Sequence, residues 1–187
     1  MNNEIKEFSR RHLFSYLWED TKRLMAEMVV TYTKNETQLQ LRPPFALPEK
    51  VFLAACTRCG ECINVCPQHI LVAAEEKSGI ALGTPTILSK KNYCTMCLMC
   101  VKSCTSGALE IEAGQCGKIG RATINNKSCV AYKGSICNNC YQSCLKYKGA
   151  IKMEKGFLPV IDTTLCDGCG RCVSSCFIGN GIHVVAD

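Results

Sequence analysis

Cysteine is the residue type with the clearest chemistry in this chain. The chain has 187 residues, of which 17 are cysteine. All but one of these cysteines fall into four groups of four: Cys56, Cys59, Cys62, Cys66; Cys94, Cys97, Cys100, Cys104; Cys129, Cys137, Cys140, Cys144; and Cys166, Cys169, Cys172, Cys176. Cysteine at this density forms either a disulfide framework or a set of metal ligands.

The spacing within the groups favours iron–sulfur clusters. Groups one, two and four place two residues between successive cysteines and three before the last, which is the bacterial ferredoxin pattern for [4Fe–4S] ligation. Zinc ribbons use two separated cysteine pairs instead. In two-cluster ferredoxins the fourth cysteine of a run ligates the other cluster. This predicts four [4Fe–4S] clusters: cluster I on Cys56, Cys59, Cys62, Cys104; cluster II on Cys94, Cys97, Cys100, Cys66; cluster III on Cys129, Cys137, Cys140, Cys176; and cluster IV on Cys166, Cys169, Cys172, Cys144.

Two cysteine features depart from this regularity. The third group has seven residues between Cys129 and Cys137, an insertion of five that changes the surroundings of cluster III without removing a ligand. The seventeenth cysteine, Cys116, lies outside all groups. It is either an exchangeable redox ligand or, as we favour, a free thiol in a linker.

The groups recur at steps of 38, 35 and 37 residues, which indicates a duplicated two-cluster unit. Short β-branched runs bounded by Gly or Pro accompany the groups and predict short strands, with a short helix near each third and fourth cysteine. The fold class is therefore α+β, with tandem two-cluster ferredoxin-like modules. The first module is predicted at residues 51–113, a linker at 114–120 and the second module at 121–187. Apolar residues between the ligands are expected to shield the clusters: Ile63, Val65, Leu98, Met99, Val101, Val173 and Phe177.

The N-terminal 50 residues carry no group of cysteines. Apolar residues at three- and four-residue steps predict an amphipathic helix there: Phe14, Leu17, Trp18, Leu24, Met25 and Met28. The helix would pack on the modules, on a partner or on a membrane surface. Residues Thr33 to Lys50, with Pro43, Pro44 and Pro48, are predicted to form an extended linker.

Charge and motifs limit the function further. The formal net charge is +6. Because each oxidised cluster with four thiolates carries about −2, the loaded chain is close to neutral and is not expected to bind nucleic acid. No triad and no Gly-rich phosphate loop is present, so the chain is predicted to be an electron carrier or accessory protein without a catalytic site or small-molecule substrate. Ser9-Arg10-Arg11 is followed by charged residues instead of an apolar stretch, which predicts a cytoplasmic location, with the inner membrane face as the alternative.

The chain resembles the NapF-type ferredoxins of the periplasmic nitrate reductase system, a group that is related to the NapG/MauM ferredoxins. The resemblance rests on Leu41-Arg42-Pro43-Pro44, on Cys129-Val130-Ala131-Tyr132 with the long gap that follows, and on Leu165-Cys166-Asp167-Gly168-Cys169-Gly170. It implies an iron–sulfur protein that works with a molybdenum oxidoreductase. The protein would feed electrons to that enzyme, help its catalytic subunit mature, or serve as an electron-transfer subunit of a quinol dehydrogenase complex.

Overall fold

Short helices and two-stranded sheets alternate with the cysteine groups in the part of the chain that the computed structural model describes, residues 40–88, 92–111 and 117–186. These residues belong to one compact unit that starts at Leu39. The predicted N-terminal helix, the first part of the predicted linker and Cys116 lie outside the described residues. Within the described ranges, no helix has the length and apolar character needed to cross a membrane.

The first module contains three short helices and one hairpin. Helix α1 spans Glu49–Ala55, α2 spans Glu61–Asn64 and α3 spans Met99–Lys102. Strands β1 (Leu71–Ala73) and β2 (Pro85–Ile87) pair antiparallel, with a 3₁₀ segment at Glu76–Ala81 between them. The hairpin therefore lies between cysteine groups one and two, where the β-branched runs predicted strands.

The second module repeats this plan with an additional strand pair. Its elements are β3 (Arg121–Ile124), a 3₁₀ turn (Ala131–Lys133), α4 (Asn139–Leu145), β4 (Ile151–Glu154), β5 (Leu158–Ile161), α5 (Arg171–Ser174) and β6 (Ile182–Val185). Strands β4 and β5 form a hairpin between groups three and four. Strands β3 and β6 pair antiparallel and so join the two ends of the module.

The segment before α1 is folded against the first module, unlike the extended linker that was predicted for it. Ala46 forms an antiparallel bridge with Leu109, in the place that the β3–β6 pair occupies in the second module. Proline lacks the N–H that a ladder requires, so this Pro-containing segment forms a bridge instead of a strand pair. The first module thus begins near residue 41, and the predicted boundary at residue 51 falls inside α1.

The predicted linker between the modules is also packed where it is described. Ile119 is buried, and its backbone N–H donates to the carbonyl of Asp167 at 2.9 Å. Gly120 is buried too, and a Cβ there would overlap the carbonyl oxygen of Val185. Ile119 also belongs to the apolar core of the first module, and Gly117 lies against the Phe45 ring of that module. Residues 117–120 are therefore packed between the two modules.

Each module has its own apolar core, and each core contains cysteine. In the first module Phe52, Ile70 and Leu109 pack with buried Cys66, Cys94 and Cys100. In the second module Ile151, Val173 and Ile182 pack with buried Cys172. The fold thus surrounds the thiols with apolar side chains, which leaves few polar groups to solvate any charge placed there.

Candidate iron–sulfur sites

The loops of the three regular cysteine runs share one backbone conformation. In each run the residues two and four positions after the first cysteine have a left-handed φ: Arg58 and Gly60, Met96 and Leu98, Gly168 and Gly170. A non-glycine residue in this conformation costs about 1–2 kcal/mol, and such strain persists where the surroundings enforce it. Bends of this kind aim successive backbone N–H groups into a concavity that stabilises an anion.

In the second module, two cavities are lined by four cysteines each. One, with about 400 Å³ of empty space, is bordered by Cys129, Cys137, Cys140 and Cys176. The other, with about 360 Å³, is bordered by Cys144, Cys166, Cys169 and Cys172. We refer to these sets as site III and site IV.

In the first module, one such cavity and one further set of four cysteines are found. A cavity with about 370 Å³ of empty space is bordered by Cys66, Cys94, Cys97 and Cys100, which we call site II. The thiol of Cys62 interacts electrostatically with Cys56, Cys59 and Cys104, and this set is site I. In all four sites the fourth cysteine of one group joins the first three of another, as the ferredoxin ligation pattern requires.

Helix pairs bring these cysteines together. Helix α2, which carries Cys62, packs against α3, which carries Cys100. Helix α4, with Cys140 and Cys144, packs in the same way against α5, with Cys172. The fourth cysteine of each group lies at or just beyond the end of its helix, so it reaches the loop on the other side of the pair.

The raised pKa values of the site thiols indicate that the sites need a compensating cationic group. Burial, reinforced by repulsion from the neighbouring cysteines, raises the pKa of Cys62 to about 11. Burial raises the pKa of Cys100 to about 12, and it also shifts the pKa of Cys172 upward. Four thiolates are therefore unfavourable in these cavities unless a cationic group compensates them, and binding of iron would release their protons.

One site cysteine shows the opposite shift. Burial acts to raise the pKa of Cys104, but hydrogen bonds from the Ser106 hydroxyl and from nearby backbone N–H groups outweigh it and lower the pKa. Backbone N–H groups also donate to other sulfurs: Met96 to Cys94 Sγ and Ala122 to Cys166 Sγ, both at 3.4 Å. Hydrogen bonds to sulfur are among the factors that set the potential of a cluster.

The donor geometry fits a cluster better than a single ion. All 16 cysteines in the described ranges are free thiols, with no disulfide among them. Within these ranges no three Cys, His, Asp or Glu side chains are close enough to hold one metal ion. A tetrahedral zinc ion would need sulfurs about 3.8 Å apart, given a Zn–S distance of about 2.3 Å. Four thiols around a larger cavity suit a [4Fe–4S] cubane, which supplies one-electron redox chemistry when bound.

The expected shielding of the sites is only partly present. Val173 is buried in the second core, and Ile63 and Val101 pack against the first. Met99, however, is 45% exposed and Phe177 is 69% exposed. Both side chains nevertheless border a site cavity, Met99 that of site II and Phe177 that of site III, so they cover the sites while part of their surface stays exposed.

A cationic group beside site IV was missed from the sequence. Arg171 lines the site IV cavity, and its guanidinium lies 4.4 Å from the Tyr93 ring and 4.7 Å from the Tyr147 ring. It acts to lower the pKa of Cys169, against the burial that raises this pKa to about 12. Comparison of the repeats could have revealed Arg171, because it directly precedes the third cysteine of group four, whereas the acidic residue Glu61 directly precedes the third cysteine of group one.

Comparisons with known proteins agree with this chemistry. A family model for a 4Fe-4S dicluster domain matches residues 55–108, and one for a 4Fe-4S binding domain matches residues 159–179. The first match contains cysteine groups one and two, and the second contains group four. No solved structure matches the chain.

Three characterised relatives are ferredoxin-type proteins. The ferredoxin-type protein NapG of Escherichia coli (strain K12) is 35% identical over 161 residues, which cover 78% of this chain and 70% of NapG. The methylamine utilization ferredoxin-type protein MauM of Methylorubrum extorquens is 39% identical over 151 residues, or 74% of this chain and 69% of MauM. The ferredoxin-type protein NapF of Escherichia coli (strain K12) is 31% identical over 138 residues, or 73% of this chain and 79% of NapF.

Proposed function

The chain belongs to the ferredoxin-type iron–sulfur proteins, as the resemblance predicted, and from this premise we propose that it carries four [4Fe–4S] clusters and passes electrons to or from a larger oxidoreductase. Members of the family are electron carriers and not enzymes. The proposal rests on one observation: four separate sets of four cysteines meet in the fold, and three of them border cavities of similar size. Similar cavities with identical donors suit identical occupants.

The first test is the iron content of the anaerobically purified chain. Four clusters predict about 16 iron and about 16 acid-labile sulfide per chain. A preparation that saturates at about eight iron would reject the four-cluster proposal. Substitution Cys116→Ser provides a matched control, since Cys116 lies outside the four cysteine groups in the sequence and its loss should leave the iron content unchanged.

The ligand sets can be tested separately. If Cys144 and Cys172 ligate the same cluster, Cys144→Ser and Cys172→Ser should change the same electron paramagnetic resonance signal. Cys140→Ser should change a different signal, although Cys140 is much nearer to Cys144 in the chain. If Cys144→Ser and Cys140→Ser instead change one common signal, the proposed exchange of fourth ligands is wrong.

The carrier role makes a second demand, because the clusters must be reducible by cellular donors. We expect at least one cluster to be reduced at or above roughly −400 mV, the potential typical of plant-type ferredoxins. A potentiometric titration followed by electron paramagnetic resonance measures this. A chain whose clusters all stay oxidised at that potential would not be a carrier.

We propose that the partner is a molybdenum oxidoreductase or a quinol dehydrogenase, and that the exchange takes place in the cytoplasm or at the inner membrane face. The support is the family, one of whose members is named for methylamine utilization. Anaerobic affinity purification from the native cell tests the partner. Recovery of a mature reductase or a quinol-oxidising subunit supports the carrier role, whereas recovery of only an unexported enzyme precursor would indicate a maturation factor.

A further inference from the structure

The two modules meet at the loops of sites II and IV. The backbone N–H of Cys94, in site II, donates to the carbonyl of Cys169, in site IV, at 2.7 Å. Cys169 also packs against the apolar core of the first module. Arg171 bridges the same junction, since it contacts Tyr93 of the first module and Tyr147 of the second.

Within each module the sites are also adjacent. Packing of α2 on α3 places Cys62 of site I near Cys100 of site II, and the two thiols interact electrostatically. Packing of α4 on α5 does the same for Cys140 of site III and Cys172 of site IV. Together with the junction, these contacts order the sites as I–II–IV–III. The order differs from the sequence order, and sites I and III stand at its two ends.

The end at site III is capped by exposed apolar side chains. Phe177 and Ile178 border the site III cavity and are 69% and 36% exposed. Ile136 is 95% exposed and directly precedes the site III cysteine Cys137. Single exposed apolar residues are ordinary, but two of these border one cavity and the third adjoins a cysteine of the same site. We call Ile136, Phe177 and Ile178 the site III cap.

The chain segments that carry the site III cysteines are rich in basic residues. No Asp or Glu occurs between residues 121 and 153, a stretch that includes six Lys or Arg, and none occurs between residues 168 and 186. Lys127 and Lys133 are exposed and flank Cys129 on its two sides. Two of the module's carboxylates already face lysine, Asp162 at 3.2 Å from Lys152 and Asp167 at 3.9 Å from Lys148. The first module has no such excess, with five acidic and five basic residues in its described ranges.

We propose that the site III cap and its flanking lysines form the docking surface for a redox protein that presents acidic groups around an apolar centre, at one end of a I–II–IV–III relay. This rests on the proposed four-cluster function. The charge favours an acidic protein, because complementary potentials steer encounter and fix orientation. The apolar cap contributes the part of the interface from which water is removed. In this arrangement the five-residue insertion in group three contributes Lys133 and Ile136 to the docking surface.

The test is stopped-flow reduction of the oxidised holoprotein by a reduced plant-type ferredoxin, an acidic one-electron donor. We expect the second-order rate to fall with added salt. The double variant Lys127→Glu/Lys133→Glu should lower the rate at low salt by about tenfold or more, within the range typical of electrostatic steering. The matched control is Lys77→Glu/Lys102→Glu, which makes the same charge change on exposed lysines of the first module and should lower the rate by less than about threefold.

A second pair of variants tests the cap. Phe177→Ser should slow reduction several-fold, whereas Leu82→Ser, at a 47% exposed residue of the first module, should not. Equal slowing by both pairs of lysine substitutions would show that only the overall charge matters, and this would overturn the proposal. Rates that stay unchanged in all variants would also overturn it. A wild-type protein with fewer than about 16 iron, or one that the donor cannot reduce, would instead reject the four-cluster carrier itself.

Discussion

Arg42 should be the most sensitive position outside the cysteine sites. Its side chain is 8% exposed, and its guanidinium donates to both carboxylate oxygens of Glu49, at 2.9 Å and 2.6 Å. It also donates at 2.8 Å to the Thr84 hydroxyl and to the Pro85 carbonyl, and it lies 4.6 Å from the centre of the Phe52 ring. Arg42 therefore ties the N-terminal segment to α1, which leads into Cys56, and to strand β2.

The expected cost of removing Arg42 follows from this geometry. Breaking a buried ion pair by removing one partner costs about 3–5 kcal/mol. The Glu49 side chain is 35% exposed, so water partly solvates the carboxylate that remains, and we reduce the cost to about 2–4 kcal/mol. If Arg42 keeps its contacts until the transition state for unfolding is reached, Arg42→Met lowers the barrier by less than this. If the contacts break before it, unfolding accelerates by roughly 30- to 700-fold.

The assay is the rate at which cluster absorbance is lost in a fixed concentration of guanidinium, because cluster loss makes unfolding irreversible. Arg42→Lys keeps the charge but cannot donate in the same forked geometry, so its rate should lie between those of the wild type and Arg42→Met. Glu49→Gln provides a second, milder change in the same contact. An Arg42→Met protein that loses its clusters within threefold of the wild-type rate would refute the expectation that the Arg42 contacts stabilise the fold and break before the transition state for unfolding.

Three further predictions concern the sites. Arg171→Gln should lower the potential of cluster IV, because loss of a cation that lines the site IV cavity makes the more negative, reduced cluster less favourable. Redox titration with paramagnetic detection measures the shift, and an unchanged potential would count against the assignment of Arg171 to this site. Gly168→Ala should destabilise the protein strongly, since its Cβ would lie 2.6 Å from the Gly120 carbonyl oxygen. Gly134→Ala has open space at its Cβ, so it should cost only about 1–2 kcal/mol of stability for its left-handed φ. Similar unfolding midpoints in denaturant for the two variants would contradict the structure. Iron uptake by the cluster-free chain should strengthen from pH 7 to pH 9, because thiols such as Cys62, whose pKa is raised to about 11, must lose protons to bind. The protonated thiols stabilise the cluster-free fold below pH 9, and this contribution is lost as the pH rises through about 11; uptake that is independent of pH would exclude these thiols as ligands.

The local chemistry could be predicted from the sequence because it depends on short spacing. Cysteines with two residues between them can share one cluster only if the loop wraps around it, so the type of site and its candidate ligands follow from the run itself. Short strands accompany the cysteine groups as expected, among them Arg121–Ile124, Ile151–Glu154 and Leu158–Ile161. The insertion in group three was visible for the same reason.

Features that depend on distant residues were not predictable in this way. Pro43 and Pro44 suggested an extended linker, but Arg42 holds this segment through Thr84 and Pro85, about 40 positions away. Phe177 was expected to cover a cluster, and it does border the site III cavity. Hydrophobicity alone did not indicate that 69% of this side chain would stay exposed.

The sequence by itself therefore determined the candidate ligands, the kind of cluster and the family, because these depend on spacing within about a dozen residues. Only the tertiary structure decided which sites are neighbours and which face is open to a partner. The contact between Cys94 and Cys169 joins loops 75 residues apart, and the exposed cap at site III depends on how α4, α5 and the group three insertion pack. Such contacts result from the shape of the whole fold, and no local pattern of residues encodes them.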